Sequence, residues 1–361
     1  MKNCRHRTVF GFSLLISVLF LCKSASAFVT APHSKTPAIA KTMKLSASST
    51  AETEIKEDQV QLSSGVSMKV EWALPSDTNS NFPPLIFLHG SFHGGWCWTE
   101  HFFPYFLSLG YPVAAVNWRG TGGTFAGEGV KKVQIELHVQ DLKAFLEEFA
   151  PKLASEKGTK PILISHSFGG LSIMKYLEEY STKGLESIGG AVVMCSVPPS
   201  GNGKMTMRFL RQSLRASWKI TKGLAMKKVL NDPDLCRELF FGGLDDKHDV
   251  SDEDVARYQR YFSRDSEATI DLLDLAKKLP SAQTDKNGQA LFLTDNNGQY
   301  TPPFLVIGAT GDYIVDEIGV QETAQYFGAD LKIIDSPHDV MLGRNWKNAA
   351  NEISQWLEKV R

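Results

Sequence analysis

Short apolar runs recur along this chain at wide intervals: Leu-Ile-Phe-Leu at 85–88, Val-Ala-Ala-Val at 113–116, Ile-Leu-Ile at 162–164, Ala-Val-Val-Met at 191–194 and Phe-Leu-Val-Ile at 304–307. Runs without polar alternation suit strands buried on both faces, as in parallel sheets covered by helices. Helical patterns lie between them, as in residues 136–149, where Leu137, Leu142, Phe145 and Phe149 share one side. This alternation predicts an α/β fold with a doubly wound, mostly parallel sheet. Ahead of it, residues 59–62 and 66–72 read as two short strands that pair antiparallel at an edge. From about 201 to 301 the alternation stops, and helical periodicity without a buried-strand run predicts an inserted helical lid. Turn-rich segments at 285–288 and 295–299 mark the return to the core. The expected organisation is a core over 51–200 and 301–361, with the lid over 201–300.

The chain has 361 residues, ordinary apolar content and a formal net charge of -1, which suits one large folded unit and gives no sign of a nucleic-acid partner. Its beginning departs from that average. Lys2, Arg5 and Arg7 precede an apolar run over 9–21, and Ala25-Ser26-Ala27 offers a small-x-small cleavage site, so 1–27 reads as a signal peptide. The run is shorter than the roughly 20 residues of a spanning helix. Residues 28–50 contain no Asp or Glu but carry Lys35, Lys41 and Lys44 among Ser, Thr and Ala, the composition of a transit peptide. The junction at Ala27/Phe28, with an aromatic after the cut, resembles that of precursors in algae with red-lineage complex plastids. That resemblance implies passage through the endoplasmic reticulum to the plastid stroma; the competing reading is a secreted protein with a Ser/Thr-rich linker. Cys97, Cys195 and Cys236, the cysteines beyond the signal peptide, show no paired spacing and read as buried free thiols.

The most specific chemistry lies at Ser165-His166-Ser167-Phe168-Gly169-Gly170, directly after an apolar strand and before helical sequence. Small-x-Ser-x-Gly in that setting is the pattern of a nucleophile elbow, which makes Ser167 the candidate nucleophile. Ser165 stands where the first glycine is usual. An activated serine needs a base, an acid that orients it, and N–H donors for an oxyanion. Asp312 and Asp316 follow the strand at 304–307, and His338 follows another at 331–334, so both kinds of group fall at the carboxyl ends of late strands. Asp316 is placed to cap the next helix. His166 adjoins the serine within the turn and reads as a packed or rim residue. His89-Gly90-Ser91-Phe92-His93-Gly94-Gly95-Trp96 gives a Gly-rich turn after a core strand, whose backbone N–H groups can face the elbow.

With the order Ser, Asp, His, the chain resembles the α/β-hydrolase superfamily from about residue 60 to its end. The resemblance implies an eight-stranded sheet with Ser167 as nucleophile, His338 as base, Asp312 as its carboxylate, and the Ser91 and Phe168 N–H groups as oxyanion donors. In this pattern His89 pins the loop, and Phe92, His93 and Trp96 are the candidates for the substrate pocket. Residues 89–98, with 195–201 and 338–342, are similar to plant-type methylesterases and plastid hydrolases. Gly343 stands where related acyltransferases carry Asp, and the serine elbow separates the chain from relatives that attack with aspartate. The implied activity is a serine hydrolase, a carboxylic ester hydrolase acting through an acyl-enzyme, with no metal or organic cofactor. Competing readings are a triad-retaining ligand receptor or scaffold and a lyase of the same fold.

The lid adds a surface. Lys204, Arg208, Arg211, Arg215, Lys219 and Lys222 recur at helical intervals, no acid lies between 201 and 230, and Met207, Leu210 and Leu214 fall on another face. A basic amphipathic helix is expected, either a solvated lid helix that buries its apolar stripe or one that rests on an anionic membrane. Met205, Met207, Phe209 and Trp218 suit a lipid-, prenyl- or terpenoid-like ester and equally plain packing within the lid.

Overall fold

A computed structural model describes residues 54–76, 81–242, 250–294 and 300–360. The expected signal and transit segments, 1–27 and 28–50, lie outside the described residues, as does the turn at 295–299. The strands are β1 Lys56–Gln61, β2 Ser67–Ala73, β3 Leu85–Leu88, β4 Val113–Val116, β5 Lys132–Val133, β6 Ile162–His166, β7 Gly190–Met194, β8 Thr269–Ile270, β9 Phe304–Gly311 and β10 Asp330–Pro337. The helices are α1 Trp96–Thr99, α2 Phe102–Ser108, α3 Ile135–Glu148, α4 Phe168–Glu186, α5 Gly201–Gln212, α6 Leu214–Ile220, α7 Pro233–Phe240, α8 Asp252–Arg264, α9 Leu272–Leu275, α10 Leu291–Thr294, α11 Glu317–Phe327 and α12 Trp346–Val360.

The expected doubly wound sheet is present, eight-stranded and ordered β1-β2-β4-β3-β6-β7-β9-β10. β1 pairs antiparallel with β2, and β2 with β4, while the remaining pairs are parallel. The continuous apolar runs become the buried central strands, and every residue of β3, β4, β6 and β7 is buried. On β3, Phe87 meets Trp98 at 5.1 Å and Phe103 at 5.5 Å between ring centres. Burying such side chains contributes about 1.5–3 kcal/mol each. It also anchors the chain on either side of the loop at 89–95.

The register decides where chemistry can gather. Leu88 is level with Ser165, His166 with Met194, and Met194 with Ile307. Parallel strands point their carboxyl ends the same way, so the loops after β3, β6, β9 and β10 share one edge of the sheet, the usual place for ligands in such folds.

The segment between β7 and β9 is mainly helical, with two departures from expectation. β8 pairs in parallel with β5 as a two-residue ribbon apart from the main sheet. The basic helix is also not continuous. It breaks at Ser213, whose extended backbone (φ -158°, ψ 112°) separates α5 from α6. Serine is a weak helix-interior residue because its hydroxyl competes for backbone groups. Among the described residues, no helix is long and apolar enough to cross a membrane.

Candidate active site

Ser167 occupies the sharp turn between β6 and α4, with φ 54° and ψ -120°. Such a conformation costs a residue with a Cβ on the order of 1–3 kcal/mol and persists only where its surroundings enforce it. Its N–H donates to the Met194 carbonyl at 3.0 Å. A Cβ on Gly169 would lie 2.3 Å from the Leu88 carbonyl oxygen, and one on Gly170 would lie 2.3 Å from Ser196 Oγ. Both glycines are therefore required by close packing. Ser165 is not under that constraint, because its Oγ donates to the Val192 carbonyl of the neighbouring strand at 3.2 Å.

His338, after β10, sets its Nδ1 2.8 Å from Asp312 Oδ2. Since a carboxylate only accepts, the proton sits on Nδ1 and Nε2 is left as the basic nitrogen. Burial works against the charged ring, but the charge and hydrogen bond of Asp312 outweigh it, with help from Asp339, and His338 titrates above its ordinary value. Asp312 is itself fixed, its Oδ1 accepting from the Ile314 N–H at 2.7 Å and the Val315 N–H at 2.9 Å. Asp316 is engaged elsewhere. It caps α11 through the Gly319 N–H at 3.0 Å and holds Arg208 Nη2 at 2.7 Å.

His166 is fully buried rather than at a rim, and its Nε2–H donates to the His338 carbonyl at 2.9 Å. Burial, with the neighbouring histidines, pulls its pKa well below the usual value, so it stays neutral and braces the His338 backbone. His89 pins the loop after β3, with Nδ1 2.7 Å from the Gly90 carbonyl and Nε2 3.1 Å from Thr121 Oγ1. Burial pushes its pKa down to about 3.

The Gly-rich loop after β3 lies directly on the elbow. A Cβ on Gly90 would stand 2.7 Å from the Ser167 Cβ, so this contact admits only glycine. Neither the Ser91 N–H nor the Phe168 N–H has a backbone acceptor among the described residues. The second is the first N–H of α4, a position where a helix leaves donors free. A pocket opens beside them, lined by Ser91, Phe92, Trp118, His138, Phe168 and Ile270 among others. Phe92 lines it. His93 and Trp96 do not: His93 bonds Asp339, and Trp96 donates its indole N–H to Asp265 at 2.9 Å, stacking on Tyr258. Sequence reasoning missed Trp118, His138 and Ile270, which come from three distant segments and carry no motif.

Among the described residues, two groups of side chains have ligand atoms close enough together to face one metal ion: His166, His338 and Asp339, and Cys195, Asp312 and His338. In each, some of the candidate ligand atoms are already engaged. His338 Nδ1 bonds Asp312, His166 Nε2 bonds a carbonyl, and burial pushes the Cys195 thiol far above its usual pKa.

Comparison with known proteins gives relatives and a family for this chain. Methylesterase 10 of Arabidopsis thaliana is 31% identical over 100 residues, covering 27% of this chain and 33% of that protein. Norfluorocurarine synthase 1 of Strychnos sp is 35% identical over 119 residues, covering 32% of this chain and 39% of that protein. The chain thus spans little more than a third of the length of these curated relatives. A solved thermophilic esterase from Thermogutta terrifontis superposes with a TM-score of 0.56 at 14% identity, over 85% of this chain and 99% of that one, a likeness of fold. The sequence model of the alpha/beta hydrolase family matches residues 85–347, a span that holds the elbow, the Asp312–His338 pair and the Gly-rich loop at 89–95, and the chain belongs to that family.

Proposed function

We propose that this protein is a serine hydrolase that cleaves carboxylic esters. The observation that carries the reading is the Asp312–His338 pair, tied through the His338 carbonyl to the residue beside the strained Ser167 turn, with two backbone N–H groups nearby that have no backbone acceptor among the described residues. In the proposed cycle Ser167 Oγ attacks the acyl carbonyl while His338 Nε2 takes its proton. The carbonyl oxygen becomes an oxyanion held by the Ser91 and Phe168 N–H groups. His338 then protonates the departing alcohol. Water, activated by the same nitrogen, attacks the acyl-enzyme, releases the acid and restores Ser167. Asp312 holds the ring in the required tautomer and stabilises its charged form.

A hydrophobic ester is favoured by the apolar side chains of Phe92, Trp118, Ala268 and Ile270 around the pocket. The names of the methylesterase relatives support a small leaving alcohol. With methyl and p-nitrophenyl esters of graded acyl size, kcat/KM is expected to climb as the acyl group becomes larger and more apolar; a flat profile would remove the hydrophobic part of the reading.

The helices between β7 and β9 are proposed to act as a lid that touches an anionic membrane. Three of the basic residues are paired with carboxylates, Arg208 with Asp316, Lys219 with Glu238 and, at the surface, Lys222 with Asp232. Lys204, Arg211 and Arg215 stay exposed, near Leu214 at 75% and Trp218 at 61% exposure. A basic residue near such a surface contributes about 1 kcal/mol. Reversing Arg211 and Arg215 to Glu is therefore expected to weaken sedimentation with phosphatidylglycerol vesicles by more than about 10-fold. Unchanged sedimentation would dispose of the membrane contact.

A further inference from the structure

The site contains a second buried histidine–carboxylate pair that the proposed cycle does not use. His93 Nε2 lies 3.0 Å from Asp339 Oδ2, with side chains 1% and 0% exposed. On the other side of the ring, His93 Nδ1 lies 2.8 Å from the Ser91 carbonyl oxygen. A carbonyl only accepts, so Nδ1 carries a proton and donates it, and the Nε2–Oδ2 contact holds one further proton between ring and carboxylate. The ring has little freedom to move: Phe262, Trp96 and Phe240 pack against it at 4.8, 5.7 and 5.9 Å between centres.

What this ring holds is strained. Phe92, between Ser91 and His93, has φ 69°, a left-handed conformation that is unusual for a bulky residue. The His93 bond to Ser91 spans that residue and closes the turn. Asp339 fixes the ring, and its own N–H donates to the Phe240 carbonyl at the end of α7 at 3.0 Å. The residue before Asp339 is His338. One chain of hydrogen bonds therefore runs from the loop that presents the Ser91 N–H to the segment that carries the base.

We infer that His93 and Asp339 are positioning residues for the oxyanion site, clamping the strained Ser91–Phe92 turn so that the Ser91 N–H is already aimed where negative charge develops on the substrate carbonyl. The inference rests on the ester-hydrolase reading. Donors fixed beforehand act because they need no reorganisation during reaction. A shift of about 1 Å in a positioned group can cost on the order of 100-fold in rate.

The test compares Asp339→Asn, Asp339→Glu and His93→Gln with the full-length wild type, with rates expressed per folded site counted by thermal melting. Asp339→Asn and His93→Gln are expected to lower kcat by about 10- to 100-fold while KM changes less than about 3-fold. Affinity for a trifluoromethyl ketone, whose hemiketal oxyanion mimics the transition state, should weaken by the same factor, and affinity for the product acid should not. Asp339→Glu should recover part of kcat. Wild-type kcat in either variant would overturn the inference, as would a loss of kcat with unchanged trifluoromethyl ketone affinity, the signature of a merely structural pair. Should Asp339→Asn not fold, His93→Gln and Asp339→Glu decide it by the same comparison. A wild type that neither turns over any ester nor takes up a fluorophosphonate would reject the underlying reading instead.

Discussion

Ser167→Ala is expected to lower kcat for ester hydrolysis by about a millionfold, to the level that transition-state binding without a nucleophile sustains. The expected size follows from how the parts depend on one another. Without Oγ there is no acyl-enzyme, and His338 has no nucleophile to deprotonate, so the serine's loss removes the contribution of the whole group. Folding should survive. Ser167 adopts φ 54° as serine, and alanine adds no atom to the turn, so the strain on the backbone is unchanged. Steady-state turnover of the best ester in the graded panel, set beside thermal melting, measures both. A folded variant that keeps more than about a hundredth of wild-type kcat would show that another group attacks, since losing the nucleophile alone costs far more.

Asp312→Asn is expected to cost about 10,000-fold in kcat and to change the pH profile in a defined direction. In the wild type, His338 must be neutral to accept a proton, so activity rises with pH through its pKa. Asp312 raises that pKa against the pull of burial, with Asp339 adding to it. When the Asp312 charge is removed, burial prevails and the pKa falls. The acid limb of kcat/KM should move to lower pH even as the plateau drops. The plateau drops because the Asn amide can donate to Nδ1, favouring the tautomer in which Nε2 carries the proton and cannot act as base. A limb that stayed in place would mean that a different group controls it.

Where a feature depended on local sequence, it was legible. The apolar runs at 85–88 and 113–116 became β3 and β4 at the same residues, because burial on both faces leaves no room for polar alternation. The order Ser167, Asp312, His338 placed each group at a strand end, and the parallel register brings those ends to one edge. Features that depend on distant partners were not legible. Arg208 read as part of a surface stripe, yet its carboxylate partner is Asp316 on α11. His93 read as a pocket residue, yet Asp339 holds it from across the chain. Ser165 read as a departure from the elbow pattern, and only the neighbouring strand shows why a serine fits, since the Val192 carbonyl receives its hydroxyl. The helix break at Ser213 had a weak local signal, a serine amid residues of good helical periodicity.

A fluorophosphonate reacts only with a serine whose hydroxyl is activated by a base beside an oxyanion site. Labelling the full-length protein, followed by peptide mass spectrometry, locates the adduct. A single adduct on the peptide containing Ser167, absent from Ser167→Ala and strongly slowed in His338→Ala, is the expected result. An adduct on a different serine, or labelling that persists in Ser167→Ala, would show that the elbow between β6 and α4 is not where this protein does its chemistry.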